Sequence, residues 1–238
     1  MPKNLQTLKQ TIHQQANAAK AKVLMTFFKT GKGEYAQGDK FLGLTVPLQR
    51  SIAKQYHALS LKDLQVLLKS PWHEERLIAL IILVMQFKKS DEKARRCIYE
   101  FYLKNTLAIN NWDLVDLSAY HIVGAFLEDK DKTPLFDLAK SRVMWERRIA
   151  MVSCFHFIRL KQTQPALSIA KVLLKDPHDL MHKAVGWMLR EVGKRASEAK
   201  LEEFLKANYD DLPRTALRYA IERFPEAKRQ QYLKKDFN

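Results

Sequence analysis

Glycine and proline are scarce in this 238-residue chain, seven and eight residues respectively. The longer apolar stretches also lack the every-other-residue alternation of a half-buried strand, so helix is favoured over sheet. Cysteine is scarcer still. Cys97 and Cys154 stand alone, without the paired spacings of zinc sites or redox motifs, and their apolar helical surroundings mark both as small core residues. Long hydrophobic runs are missing too: the most apolar stretch, Leu77 to Met85, is far too short to span a bilayer. Met1-Pro2-Lys3-Asn4 opens without the apolar core of a signal peptide. The expectation is a protein of the reducing cytoplasm, without a membrane partner.

Acidic residues are the other shortage, 26 against 41 Lys and Arg, for a formal charge of +15. A field of that sign attracts phosphate polyanions and speeds their encounter. Anionic lipid competes as a partner, but no lone amphipathic anchor or polybasic tail stands out. The excess is heavier toward the C-terminus, where Lys140 to Asn238 carries 21 Lys and Arg against 12 Asp and Glu.

What is present in quantity is apolar side chain, 47% of the residues, enough for one large domain or a repeat array. Helix starts are well marked. Ser70-Pro71, Thr133-Pro134 and Asp176-Pro177 each set a capping side chain before a proline suited to the first helical position. Ser60 and Asp63 have capping-box spacing, and Ser197 and Asp211 are further caps. Helices are expected over about 4–29 with a break near Asn17, then 46–57, 61–69, 71–88, 91–104 and 112–128. They continue over about 134–140, 143–160, 164–175, 177–195, 198–207 and 213–224. Thr30 to Phe41 holds three of the seven glycines and is the one long loop. Helix pairs recurring about every 30–40 residues are the mark of a helical solenoid. The expected fold is therefore all-α, a curved α-α superhelix filling residues 1–238 as a single domain, with a basic concave face suited to a duplex. An irregular bundle fits the same periodicity.

Three segments carry candidate chemistry. In Asn111-Trp112-Asp113-Leu114-Val115-Asp116, Trp112 and Asp116 are four apart and share a helix face, whereas Asp113 is placed to favour the helix N-terminus. A core tryptophan and a first-turn charge explain the same residues. Met144-Trp145-Glu146-Arg147-Arg148 opens an apolar helix with two adjacent arginines, which either form salt bridges or grip a phosphate. In Lys183-Ala184-Val185-Gly186-Trp187-Met188-Leu189-Arg190, a mid-helix glycine costs about 1 kcal/mol against alanine, so something approaches closely there, a neighbouring helix or a ligand. Two other patterns carry less. His178 and His182 have zinc-ligand spacing, without the usual glutamate or an evident third ligand, so no metal is expected. Thr30-Gly31-Lys32-Gly33 matches no phosphate loop and follows no strand.

Taken in order, these segments resemble the AlkD-like family of DNA alkylation-repair glycosylases. Gly33-Glu34-Tyr35, Asp39 to Gly43, His73-Glu74-Glu75-Arg76 and Pro213 to Ile221 extend the likeness through nearly the whole chain. The resemblance implies a curved stack of HEAT-like repeats. It also implies a cofactor-free, monofunctional hydrolase acting as a monomer on double-stranded DNA with alkylated bases, and nucleoid association while it does so. The family's catalytic aspartate falls on Asp116, its active-site tryptophans on Trp112 and Trp187, and its arginine on Arg148. Phosphate-binding candidates are Arg147, Lys183, Arg190, Lys194, Arg195, Arg214 and Arg218. The resemblance further implies excision of cationic 3-methyladenine- and 7-methylguanine-type purines through contact with the lesion's backbone, without flipping the base. The competing readings are a non-catalytic HEAT-like module for unusual DNA structures and a protein-interaction scaffold. RNA shares the phosphate chemistry.

Overall fold

The computed structural model describes residues 3–236. The all-α expectation holds: among the described residues there are helices and short connections but no strand, and one isolated bridge pairs Lys40 with Trp72. No helix among them is long and apolar enough to cross a membrane. The chain divides into two compact units, Met1–Ile122 and Val123–Asn238.

The first unit contains α1 (Leu5–Gln14), α2 (Ala18–Phe27), α3 (Val46–Gln55), α4 (Leu61–Leu68), α5 (His73–Lys89), α6 (Glu92–Lys104) and α7 (Trp112–Ala119). The centre is α5, whose residues from Leu77 to Leu83 are all buried. A helix apolar on every side must be covered on every side, and α3, α4, α6 and α7 all pack on it. The break expected near Asn17 is real. Asn17 caps α2 by accepting from the Lys20 N–H at 2.9 Å. Its own carbonyl blocks any side chain at Gly43, where a Cβ would stand 2.2 Å from that oxygen and φ is +89°. Ser60 and Asp63 form the expected capping box.

In the second unit α12 (Asp179–Arg195) takes the central place. Around it pack α9 (Met144–Ser153), α10 (Phe155–Arg159), α11 (Gln164–Leu173), α13 (Glu198–Ala207) and α14 (Arg214–Ala220), while α8 (Thr133–Ala139) packs on α9 and α11. α15 (Glu226–Lys234) closes the chain and buries Tyr232.

Several boundaries differ from expectation, each for a local reason. Pro71 and Pro177 sit in the turns before their helices instead of inside them. Ser70 Oγ accepts from the Trp72 N–H and Asp176 from the His178 N–H, so the helices start at His73 and Asp179. Asp211 ends a 3₁₀ turn and pairs with Lys175 instead of capping α14. The expected helix 112–128 is α-helical to Ala119, passes through a π-helical turn, Tyr120–Gly124, and resumes for residues 125–126. Cys154 is buried as expected, but Cys97 lies on the exposed face of α6.

Candidate functional site

The first turn of α7 is held from two directions. The buried Asn111 caps it, its side-chain oxygen accepting from the Trp112 N–H at 2.8 Å. Half-buried Trp112 stacks on Phe28 (centroids 5.2 Å), Phe28 on Phe41 (5.1 Å), and Phe41 on the His73 imidazole (4.5 Å). Phe27 meets the same indole edge-on at 5.9 Å. The other hold is ionic. His73 bonds Asp113 through Nε2 at 2.8 Å and Asp39 through Nδ1 at 3.1 Å. Arg76 closes the network with donations to Asp39 at 2.6 Å and the Ser70 carbonyl at 2.9 Å.

Burial alone would push the His73 imidazole down. The Asp113 charge and hydrogen bond, aided by Asp39, overcome that and raise it to about 9. Asp39 is lowered despite its own burial, because His73 and Arg76 favour its charged form. Next to His73, the fully buried Glu74 carboxylate accepts from the N–H groups of Leu42, Gly43 and Leu44 at 2.8–3.2 Å. Asp39 to Leu44 and His73 to Arg76 are thus one structural clamp that sets α7.

Asp116 lies one turn beyond Trp112, half-buried. It lines a recess of about 410 Å³ with Arg50 from α3, Lys88 from α5, and Tyr120 and His121 from the π-helical turn. Apolar side chains such as Ile81 and Val84 form the floor, and Asp116 is the only carboxylate among the lining residues. The helical spacing of Trp112 and Asp116 was legible in sequence. Arg50, Lys88, Tyr120 and His121 were not, although the i, i+4 pair Arg50 and Lys54 on one helix face was a usable signal.

In the second unit the two adjacent arginines diverge. Arg147 bonds both oxygens of Asp176 and donates to the Ser141 and Arg142 carbonyls, which uses four of its five N–H groups. Arg148 is buried and donates to the Leu180 carbonyl at 2.7 Å, across to the first turn of α12. Half-buried Trp187 faces Phe155 (6.1 Å), and the Arg195 guanidinium lies over that same ring at 5.2 Å. Lys183 pairs with Asp179, Arg195 with Glu191, and Arg190 with Glu222. Arg214 donates to the Leu233 carbonyl, whereas exposed Lys194 and Arg218 have no ion pair among the described residues.

The close approach at Gly186 is helix packing: a Cβ there would stand 2.5 Å from the Ala216 carbonyl and from Tyr219 Cβ on α14. His178 caps α12 by accepting from the Leu180 N–H, and His182 bonds the Asp176 carbonyl. Among the described residues no cluster of His, Cys, Asp and Glu could hold a metal ion. In the glycine turn, the Gly31 and Gly33 N–H groups donate to Glu34 and Gln37 of the same loop.

The family model for the DNA alkylation repair enzyme matches residues 8–224. Among solved structures, one described as a predicted DNA alkylation repair enzyme from Enterococcus faecalis aligns with a TM-score of 0.67. It covers 89% of this chain and 98% of its own at 17% sequence identity, a likeness of fold. No curated protein matches the chain.

Proposed function

This chain belongs to the DNA alkylation repair enzyme family, and from that premise we propose that it is a monofunctional DNA glycosylase. Its substrates are cationic alkylated purines of the 3-methyladenine and 7-methylguanine type in double-stranded DNA. Residues 1–238 act as one HEAT-like-repeat domain and as a monomer.

A purine alkylated at N3 or N7 is already a good leaving group, so no general acid is needed. Cleavage builds positive charge on the deoxyribose, and a fixed carboxylate beside that sugar stabilises it and positions the attacking water. Asp116 has that role. Trp112 and Trp187 offer π faces whose attraction, about 0.5–2 kcal/mol each, grows as the sugar becomes cationic. An interaction stronger in the transition state than in the ground state raises the rate. Arg148 binds a phosphate beside the lesion. Selectivity then comes from the charge and lability of the lesion, with contact to its backbone and no base-reading pocket.

The observation that supports this reading is the setting of Asp116. It is a half-buried carboxylate one helical turn from a stacked indole, in a recess whose other charged lining residues are cations. Lys183, Arg190, Lys194, Arg195, Arg214 and Arg218 are the phosphate-binding candidates of the second unit. Arg147, bound to Asp176, acts by holding the start of α9 beside Arg148.

The direct test offers the protein duplexes containing 7-methylguanine or uracil and measures the free base. Release of 7-methylguanine with uracil retained is expected. Retention of both bases by a protein that binds the duplex would make it a non-catalytic DNA-binding member of the family.

A further inference from the structure

Among the second unit's phosphate-binding candidates, Lys183, Arg190 and Arg195 each face a carboxylate already. A phosphate arriving there must compete with that partner. The first unit presents a different arrangement. Arg50 and Lys54 stand one turn apart on α3, on one face, and Lys88 and Lys89 end α5. Arg50 and Lys88 line the Asp116 recess; Lys54, Lys88 and Lys89 line a second recess of about 340 Å³. Met85 and Lys88 belong to both, so the two adjoin. All four cations are exposed, none forms an ion pair among the described residues, and the only carboxylate lining either recess is Asp116. The C-terminal dipole of α5 accounts for Lys88 and Lys89 but not for Arg50 and Lys54 on the helix across from them. Four cations against the single carboxylate of Asp116 leave a net repulsion, and a polyanion laid along them relieves it.

We propose that Arg50, Lys54, Lys88 and Lys89 form a phosphate track that carries the backbone of duplex DNA to Asp116. The inference rests on the reading of DNA as substrate, and it assigns phosphate contacts to the N-terminal unit as well. Each neutralised phosphate contributes about 0.9 to the slope of log affinity against log salt. The experiment measures binding of an undamaged duplex from about 50 to 200 mM salt, the range over which phosphate contacts dominate the change in affinity. It compares wild type, the triple variant Arg50→Gln/Lys54→Gln/Lys88→Gln and a control, Lys62→Gln/Lys93→Gln/Lys104→Gln. The control removes the same charge from exposed sites on α4 and α6 of the same unit.

The track variant is expected to lose about 2–3 from the slope and at least about tenfold in affinity at the low-salt end, with the control close to wild type. If thermal melting shows the triple variant damaged, Lys88→Gln alone should lose about 1 from the slope. Equal behaviour of track and control variants would overturn the track, and release of methylated base by wild type would in that case still uphold the glycosylase reading. Track-dependent binding without base release would uphold the track and overturn that reading. Wild type that does not bind duplex DNA would overturn both.

Discussion

At the scale of single residues, His73 sets a measurable pH dependence. Its imidazolium is buried between Asp113 and Asp39 with Arg76 nearby, and its pKa stands at about 9 against 6.5 for the free side chain. A raised folded-state pKa stabilises the native protein fully below the unfolded value, and that stability is lost as pH rises through the folded one. Urea unfolding should therefore show a loss on the order of 3 kcal/mol between pH 6 and 10. His73→Gln should flatten that dependence, and an unchanged slope in the variant would assign it to other groups. Arg147→Ala, which strands the buried Asp176, should cost about 3 kcal/mol of stability. If Arg147 instead served only as a surface phosphate ligand, the melting temperature would stay put. Sequence spacing placed Trp112 and Asp116 correctly on one helix face, because that inference needs only the helical period. It assigned Asp113 to the helix N-terminus and missed His73, since a partner 40 residues away leaves no local trace.

Among the elements, α12 and α14 approach closely at Gly186, where a methyl group would meet the Ala216 carbonyl and Tyr219 Cβ at 2.5 Å. The helix propensity of alanine favours Gly186→Ala by about 1 kcal/mol, whereas overpacking a rigid contact costs about 1–3 kcal/mol. Backbone cannot yield as a flexible side chain does, so the variant should be net destabilised in thermal melts. A gain in melting temperature would mean that the two helices separate easily. The sequence signal was sound here, a glycine inside a helix marking a close approach, but two approaching bodies satisfied it equally. Helix identity was legible from periodicity, and capping boxes such as Ser60 and Asp63 were legible too. Starts at Pro71 and Pro177 were read two residues early, because Ser70 and Asp176 cap turns ahead of their helices. The start of α15 left no such signal, because Pro225 is itself the cap, Phe224 before it offers no capping side chain, and the helix is mostly polar.

For the whole molecule, a charge of +15 and the family to which the chain belongs agree on a polyanionic substrate. Composition showed where along the chain the positive charge is concentrated. It could not distinguish an arginine tied to a carboxylate, such as Arg190, from one without an ion pair among the described residues, such as Arg218. That difference depends on Glu222, which is 32 residues from Arg190 in sequence. The proposed chemistry depends most on one carboxylate stabilising a cationic sugar, and losing such a preorganised partner typically costs about 2.7–4 kcal/mol, or 10²–10³ in rate. The decisive measurement is single-turnover release of 7-methylguanine from duplex DNA by wild type and by Asp116→Asn, alongside the affinity of each for that duplex. The variant should keep its grip on DNA and release the base at least about 100-fold more slowly. Release at close to the wild-type rate would show that the chemistry does not run through Asp116.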